Sequence, residues 1–235
     1  MTSLPFKLMV DPTPAQFLFT VRGPLAAKDL EGGRVAHNMA AGSDQGVAAA
    51  RSFSDLSHAV YVAAKPNGAA GAGELLIIDY WSNPAGIGTF FSDPQVQQGG
   101  TMVYRDREAV IWERTPGLPH FSLPAPYGKN DRWVGLARGP IESREKAEKI
   151  LTEALRKRAN ISRAKGLMSR EWFFRLGRPG EKAPLEAIGV DVWFDSAGMQ
   201  EIYNDPAEMD VLEGLFTGMP DTTVWQKPKG QWVEW

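Results

Sequence analysis

The sequence predicts an α+β protein made of two similar halves, each with the element order β-α-β-β-α-β. Two observations lead to this prediction. The stretch DYWSNPAGIGTFFSDP (79–94) recurs as DVWFDSAGMQEIYNDP (191–206), at a constant separation of 112 residues. An Arg-Gly-Pro triplet stands near the start of each half, in FTVRGPL (19–25) and GLARGPI (135–141). Such internal repetition indicates one supersecondary unit used twice.

The repeat depends on more identities than average composition explains. About one match is expected by chance over such a stretch, whereas six pairs are identical: Asp79/Asp191, Trp81/Trp193, Ala85/Ala197, Gly86/Gly198, Asp93/Asp205 and Pro94/Pro206. Between the halves, prolines at 119, 124 and 126 favour an extended connector. We therefore expect a first repeat at 1–118, a proline-rich connector at 119–131 and a second repeat at 132–235.

The elements of the first half follow from its apolar runs. Strands are predicted at AQFLFTV, HAVYVAA, ELLIIDYW and EAVIWER, with KPNGAAGAG as the loop between the second and third. A helical stretch follows the first strand; we expect Gly32 and Gly33 to break it and Ser43 to cap its restart. A further helix is predicted around 85–91, and the Asp-Pro step after it starts another helical turn.

The second half repeats this order, with RWVGLAR, a long helix from about Ser143, EWFFRLG, EAIGVDVWF, a helix from Ala197 and TTVWQK. The order is that of the split βαβ, or ferredoxin-like, unit. One such unit has helices on a single face of its sheet, so the second copy can cover the other face. The sequence therefore predicts two tandem ferredoxin-like repeats packed sheet to sheet.

These motifs resemble the dimeric α–β barrel superfamily, and most nearly its antibiotic-biosynthesis-monooxygenase-like group. The resemblance is carried by W-S-x-x-A after an apolar strand, the following helix, D-P and a late Trp strand, over most of both halves. It implies a tandem duplication that forms an intramolecular barrel, and monooxygenase-like chemistry. Members related to haem-degrading enzymes would imply an Asn on the first strand, which FLFTV and WVGLA lack. Many members carry a His on the second helix, where this chain has Phe90/Phe91 and Ile202/Tyr203.

Composition excludes several classes of function. A net charge of −2 and a pI near 6.0 provide no broad basic surface for nucleic acid or anionic lipid. The chain has no cysteine, and its first residues do not resemble a signal peptide. No apolar run is long enough to cross a bilayer. We expect a cytoplasmic protein whose partner is a small molecule, and whose pseudo-dimers could pair again as a homodimer.

The repeat also separates architecture from candidate chemistry. Asp79 and Trp81 recur in the second half, which favours a structural role. Strand alternation puts both on one apolar face, so the acid needs a partner, and Arg22 and Arg138 are candidates. The alternative is a ligand-facing carboxylate beside an aromatic wall, in which Trp81 binds substrate.

The histidines are better candidates because the repeat aligns His58 with Arg170. We predict that His37, on the first helix, and His58, at the start of the second strand, approach one pocket between helix and sheet. A neutral imidazole can act as a base near pH 7.

The sequence therefore predicts a set of site residues. The predicted catalytic residues are His37, His58 and Asp55, and the predicted substrate-binding residues are Asn38, Trp81 and Tyr61. Alternatively, His58 only caps its strand with Asp55 and His37 is exposed; His120 lies in the connector.

Other site classes lack the necessary spacing. The sequence has no His pair with metal-binding spacing, no G-x-G-x-x-G and no nucleophile elbow, so we predict no metal site. The leading hypothesis is a small-molecule enzyme with its pocket in the first repeat, a cofactor-independent monooxygenase-like oxidoreductase acting on an aromatic or carbonyl compound. The alternatives are a non-catalytic ligand-binding or assembly protein, and a haem protein with a His axial ligand.

Overall fold

A computed structural model describes residues 16–64, 73–116, 118, 120–122, 132–177 and 180–235. Their strands are β1 (Phe17–Pro24), β2 (Asp55–Ala63), β3 (Glu74–Trp81), β4 (Glu108–Glu113), β5 (Phe121–Ser122), β6 (Trp133–Pro140), β7 (Leu167–Arg175), β8 (Glu186–Trp193) and β9 (Asp221–Gln226). The helices are α1 (Leu30–Met39), α2 (Asp44–Ser52), α3 (Pro84–Ser92), α4 (Pro94–Val103), α5 (Arg144–Ala164), α6 (Ser196–Tyr203) and α7 (Pro206–Leu215).

All the strands belong to one antiparallel sheet with the order β4-β1-β3-β2-β9-β6-β8-β7-β5. β4 also pairs with β7, so eight strands close into a barrel and β5 adds to the outside of the ring. The α+β class is therefore confirmed. The two halves do not only face each other as separate sheets: their edge strands also join, through β2 with β9 and β4 with β7.

The strands bury side chains on both faces of the sheet. The barrel interior holds one apolar cluster that includes Leu18, Trp112, Phe173 and Trp225. A second cluster lies on the outer face of the first-half strands and the helices that cover them, with Phe19, Ile77 and Trp81 among its members. The second half has its own outer clusters, built around residues such as Trp172 and Trp193.

Several local predictions agree with the helix ends. Ser43 accepts a hydrogen bond from the Gly46 N–H and caps α2, and Ser143 caps α5 in the same way. Asp93 caps α4, whose first residue is Pro94.

The predicted break at Gly32 and Gly33 is wrong, because α1 runs through both residues. Asp29 caps the helix by accepting from the Gly32 N–H, which offsets the roughly 1 kcal/mol that a helical glycine costs. Gly33 lets the helix approach Leu25, which a Cβ would contact at 2.9 Å. The glycine-rich loop at 65–72 lies outside the described residues. Of the predicted connector, 120–122 are described, and they include β5.

Among the described residues, no helix combines the length and the apolar character required to span a membrane.

Candidate functional site

The two predicted histidines are in direct contact. His37, on α1, is fully buried, and its Nε2 lies 2.9 Å from Nε2 of His58 on β2. On its other side, His58 Nδ1 lies 2.6 Å from Oδ1 of Asp79, on the neighbouring strand β3. His58 and Asp79 are also direct cross-strand neighbours in the sheet register. The three side chains therefore form one buried hydrogen-bonded chain.

The partners of Asn38 determine where the protons lie in this chain. Asn38 Oδ1 accepts from the Val233 N–H at 3.0 Å, and its Nδ2 donates to the Gln231 carbonyl at 2.8 Å. His37 Nδ1, 3.0 Å from the same Oδ1, must therefore donate. A neutral His37 then accepts at Nε2, so His58 donates there.

The pKa shifts agree with this assignment. Burial, followed by the charge of His58, lowers the pKa of His37 to about 4, which keeps it neutral at pH 7. For His58, burial alone would lower the pKa, but the charge and hydrogen bond of Asp79, together with the charges of Asp55 and Glu234, raise it. His37 is therefore the neutral member of the pair, and Asp79 favours the protonated form of His58.

A segment at 231–235 covers the hydrogen-bonded side chains of His37, His58 and Asp79 from one side. The Trp235 carbonyl accepts from the His58 N–H at 2.7 Å, and the Trp235 N–H donates back at 3.2 Å. The Trp235 indole stacks on the His58 ring at a centroid distance of 4.3 Å, and Trp232 lies against His37. This segment therefore acts as an additional strand-like partner of β2.

Asp55 joins the same site through an irregularity in β2. The register with β3 shifts between Asp55 and Ser57, and this bulge brings Asp55 to the face that carries His58. Asp55 Oδ2 accepts from the Trp235 Nε1–H at 2.9 Å, while the buried Oδ1 has no partner. Burial, assisted by the charge of Asp79, raises the pKa of Asp55 to about 7.

A pocket of about 890 Å³ lies beside these residues, between the outer face of the first-half sheet and helices α1 to α4. Asp55, His58 and Asp79 line it on the side of the sheet, and α4 and the residues before β4 add polar groups such as Gln97 and Arg107. The rest is largely aromatic and apolar, including Phe19, Phe53, Trp81, Phe90, Phe91, Tyr104 and Trp235. A pocket of this size and lining is suited to a planar organic molecule.

Trp81 contributes a second unpartnered polar atom to the pocket wall. It is the direct cross-strand neighbour of Asp55, and its buried Nε1 has no hydrogen-bond partner. Buried polar atoms are nearly always paired, so an unpaired donor next to an unpaired acceptor is unusual. Both residues line the pocket, so this buried donor and this buried acceptor lie in its wall without partners.

The structure therefore brings together most of the predicted residues, though not all of them. Asp55, His58 and Trp81 line the pocket, whereas His37 and Asn38 lie behind His58 and support it. Tyr61 lies in the barrel interior, on the opposite face of the sheet, away from the predicted pocket. His120 is exposed in the connector.

The predicted partners of the repeated acids are wrong. Arg22 pairs with Asp221, and Arg138 pairs with Glu108 and Glu186. Asp79 pairs instead with His58, and Asp191 pairs with Arg170. The alternating side chains of β1 and β6 explain the error: Arg22 and Arg138 both line a small cavity with Thr20 and Leu136, residues of the interior face.

Sequence reasoning also missed two contacts of His58. The pairing with Asp79 had a signal, because residues 58 and 79 are separated by the same 21 positions as Arg170 and Asp191. Equal separations in both halves indicate a shared cross-strand register. The stacking of Trp235 had none, because its sequence separation from His58 is long.

Comparison with solved structures shows what this architecture resembles. An anthrone oxidase-like protein superposes with a TM-score of 0.59 at 12% identity, covering 91% of this chain and 92% of its own. A candidate monooxygenase from Fusobacterium nucleatum gives 0.58 at 8% identity, with coverages of 94% and 97%. The fold is that of the dimeric α–β barrel superfamily.

A third solved structure, which contains haem, has a similar fold. A DypB variant from Rhodococcus jostii RHA1, in complex with haem, gives a TM-score of 0.55 at 12% identity, covering 94% of this chain and 96% of its own. No family model matches the chain, and comparison with curated proteins finds no match. At such low identities the likeness shows the fold alone.

The residues of the pocket do not fit a histidine-ligated haem. Both ring nitrogens of His58 are hydrogen-bonded, to His37 and Asp79, and His37 is buried behind it. The third histidine, His120, does not line the pocket. To bind iron, His58 would have to lose its hydrogen bond to His37 or to Asp79. The reaction proposed below therefore does not use haem.

Proposed function

We propose that the first-half pocket is the active site of a small-molecule oxidoreductase that acts without a cofactor on an aromatic carbonyl compound. The observation that carries this proposal is the adjacent pair of unpartnered buried atoms, Asp55 Oδ1 and Trp81 Nε1. One atom can accept a proton and the other can donate a hydrogen bond. Their residues line the wall of an apolar and aromatic pocket.

Asp55 is the proposed base. With a pKa near 7 it can remove a proton from a CH₂ group that a conjugated carbonyl makes acidic, and at neutral pH a large share of it is in the ionised form that does so. Its Oδ2 is held by the Trp235 indole, which leaves Oδ1 for the substrate. In this role Asp55 replaces the histidines as the primary base.

Trp81 and His58 are proposed to stabilise the enolate that results. The Trp81 N–H donates to the substrate oxygen as negative charge develops there. In its protonated form His58 adds positive charge at the pocket wall, and His37, with Asn38, positions it. The charge and hydrogen bond of Asp79 raise the pKa of His58.

The proposed reaction needs dioxygen as the oxidant. The deprotonated carbon transfers electrons to O₂ and forms a carbon–oxygen bond, and a second proton then leaves that carbon as the O–O bond breaks. Overall a CH₂ group and O₂ give a carbonyl group and one water molecule, and the substrate supplies all four electrons. The residues of the pocket bind the substrate, remove its proton and stabilise the negative charge that forms.

Oxygen uptake with anthrone as the probe tests this proposal, because anthrone is a planar aromatic ketone with an acidic CH₂ group. We expect the wild-type protein to accelerate uptake, with kcat/KM rising with pH through about 7 as Asp55 ionises. Asp55→Asn should lower kcat by about 100-fold or more, because it removes the general base.

Asp210→Asn is the matched control, since Asp210 is an exposed acid on α7 of the second half. It should behave as wild type. Full activity of a folded Asp55→Asn variant would contradict the proposed base. No acceleration by the wild type, although anthrone binds, would favour the non-catalytic ligand-binding alternative, which the same pocket supports.

We also propose that the chain arose by tandem duplication, with repeats at 1–118 and 132–235 joined by the connector at 119–131. The strand orders β4-β1-β3-β2 and β9-β6-β8-β7 correspond, which supports this. The register bulges also match, between Asp55 and Ser57 in β2 and between Leu167 and Ser169 in β7.

A further inference from the structure

We propose that Arg107 is an anion-recognition residue of this pocket, so that the preferred ligand carries a carboxylate or a similarly placed negative group. The inference rests on the proposed use of the pocket and adds a substrate class to it. Arg107 is half-buried immediately before β4 and lines the pocket together with Gln97, Gly100 and Tyr104.

The guanidinium is held in position by α4. It donates through Nη2 to the side-chain oxygen of Gln97, a neutral group. It also lies against Gly100, where a Cβ would overlap Nη1. A glycine inside a helix costs about 1 kcal/mol relative to alanine, and here its missing side chain makes room for a cation.

The charges along the pocket wall leave Arg107 available. Asp93 is engaged as the N-cap of α4, and His58 and Asp79 are paired with each other. Among the described residues Arg107 makes no ion pair. Asp55 lines the same pocket but does not pair with it. A guanidinium without a carboxylate partner is well suited to a planar anion, because its N–H groups can form two parallel hydrogen bonds.

The second half does not keep this arrangement. Pro220, at the matching position before β9, replaces Arg107, and Leu212 of α7 replaces Gly100. Leu212 packs against an apolar cluster there. Arg107 and the space that Gly100 leaves for it therefore occur together in the first half, which has the pocket. The second half has neither residue at the matching positions.

Binding of 2-naphthoate and 2-naphthamide, measured by calorimetry on the full chain, tests the proposal. The two probes share the aromatic body and differ in charge. We expect the wild type to prefer 2-naphthoate, and Arg107→Gln to weaken 2-naphthoate by about tenfold, as loss of a charge-assisted hydrogen bond would, with 2-naphthamide within about twofold.

Two further variants separate position from charge. Gly100→Ala keeps the cation but displaces it, and should weaken 2-naphthoate selectively as well. Arg105→Gln removes an exposed charge two residues away and should change neither affinity.

Equal loss of both probes in Arg107→Gln, or no loss of 2-naphthoate, would overturn the anion site. Absence of binding of either probe to the wild type would overturn the site and the proposed function together. Charge-selective binding without any oxygen uptake would overturn the proposed reaction and leave the anion site standing.

Discussion

The two halves share a strand order but treat the same buried acid differently. In the first half, Asp79 faces His58, a group that can gain or lose a proton. In the second, Asp191 makes a two-point ion pair with Arg170, at 2.9 and 2.6 Å, and Glu208 binds the same guanidinium at 2.8 Å. The second arrangement is permanently charged and fully paired, which is typical of a structural role.

The repeated tryptophans show the same contrast. Trp193 Nε1 donates to the Tyr203 hydroxyl at 3.1 Å, and this hydroxyl in turn reaches Asp191. In the first half Phe91 stands at the position of Tyr203, and Trp81 Nε1 has no partner. Tyr203 also fills the space over Gly135, whereas Phe19 occupies the matching position of β1. The indole N–H that the second half pairs internally is therefore unpartnered in the first, where its residue lines the pocket.

The largest expected effect comes from removing the shared acid in each half. Asp191→Asn should lower the free energy of unfolding by about 3–5 kcal/mol, because Arg170 cannot shed its charge and Glu208 alone would have to compensate it. Asp79→Asn should cost only about 1–3 kcal/mol, because His58 can become neutral. Urea denaturation of both variants measures the difference. Equal losses would mean that the two acids have the same structural role.

A pH series on Asp55→Asn should show the next largest effect. In the native protein Asp55 keeps its proton up to about pH 7, whereas the unfolded chain releases it near pH 4. Its contribution to stability is therefore present at low pH and is lost as pH rises through about 7, by up to about 4 kcal/mol. The asparagine variant should thus gain stability relative to wild type over this range.

The comparison must be made as a difference between variant and wild type. The lowered pKa of His37 produces the opposite slope between about pH 4 and 6.5, because the unfolded chain binds that proton first. The two slopes largely cancel in the wild type. A difference that stays constant with pH would contradict the raised pKa of Asp55. In the second half Leu167 stands at the position of Asp55, and its side chain cannot titrate.

The smallest effect is expected from Tyr203→Phe, which gives Trp193 the unpartnered state that Trp81 already has. Losing the hydroxyl should cost about 1–2 kcal/mol in urea denaturation. Affinity for 2-naphthoate should not change, since Tyr203 does not line the first-half pocket. A changed affinity would show that the halves are coupled across the sheet.

The order of the elements could be predicted from sequence because each depends on local patterns. Apolar runs marked the strands, and Ser43 and Ser143 marked two helix starts. Closure of the barrel could not be predicted in the same way, because the β2–β9 and β4–β7 junctions pair only two residues of each strand in the described register. No local pattern specifies contacts so short and so distant in sequence.

Prediction of the site was limited by strand geometry. Simple alternation already separates Tyr61 from His58, so the exclusion of Tyr61 could have been anticipated. Alternation alone would also have excluded Asp55, which reaches the pocket face only through the bulge in β2. Arg107 could not be recognised because its availability depends on Gly100 and Gln97 of a neighbouring helix.

The continuous ring of strands has a consequence for the protein as a whole. A fragment containing one half would expose the backbone edges of two strands, β2 and β4 or β7 and β9, that the other half now pairs. Exposed edges recruit further chains, so such a fragment should aggregate. The two halves should accordingly unfold in a single cooperative transition, and a half produced alone should precipitate.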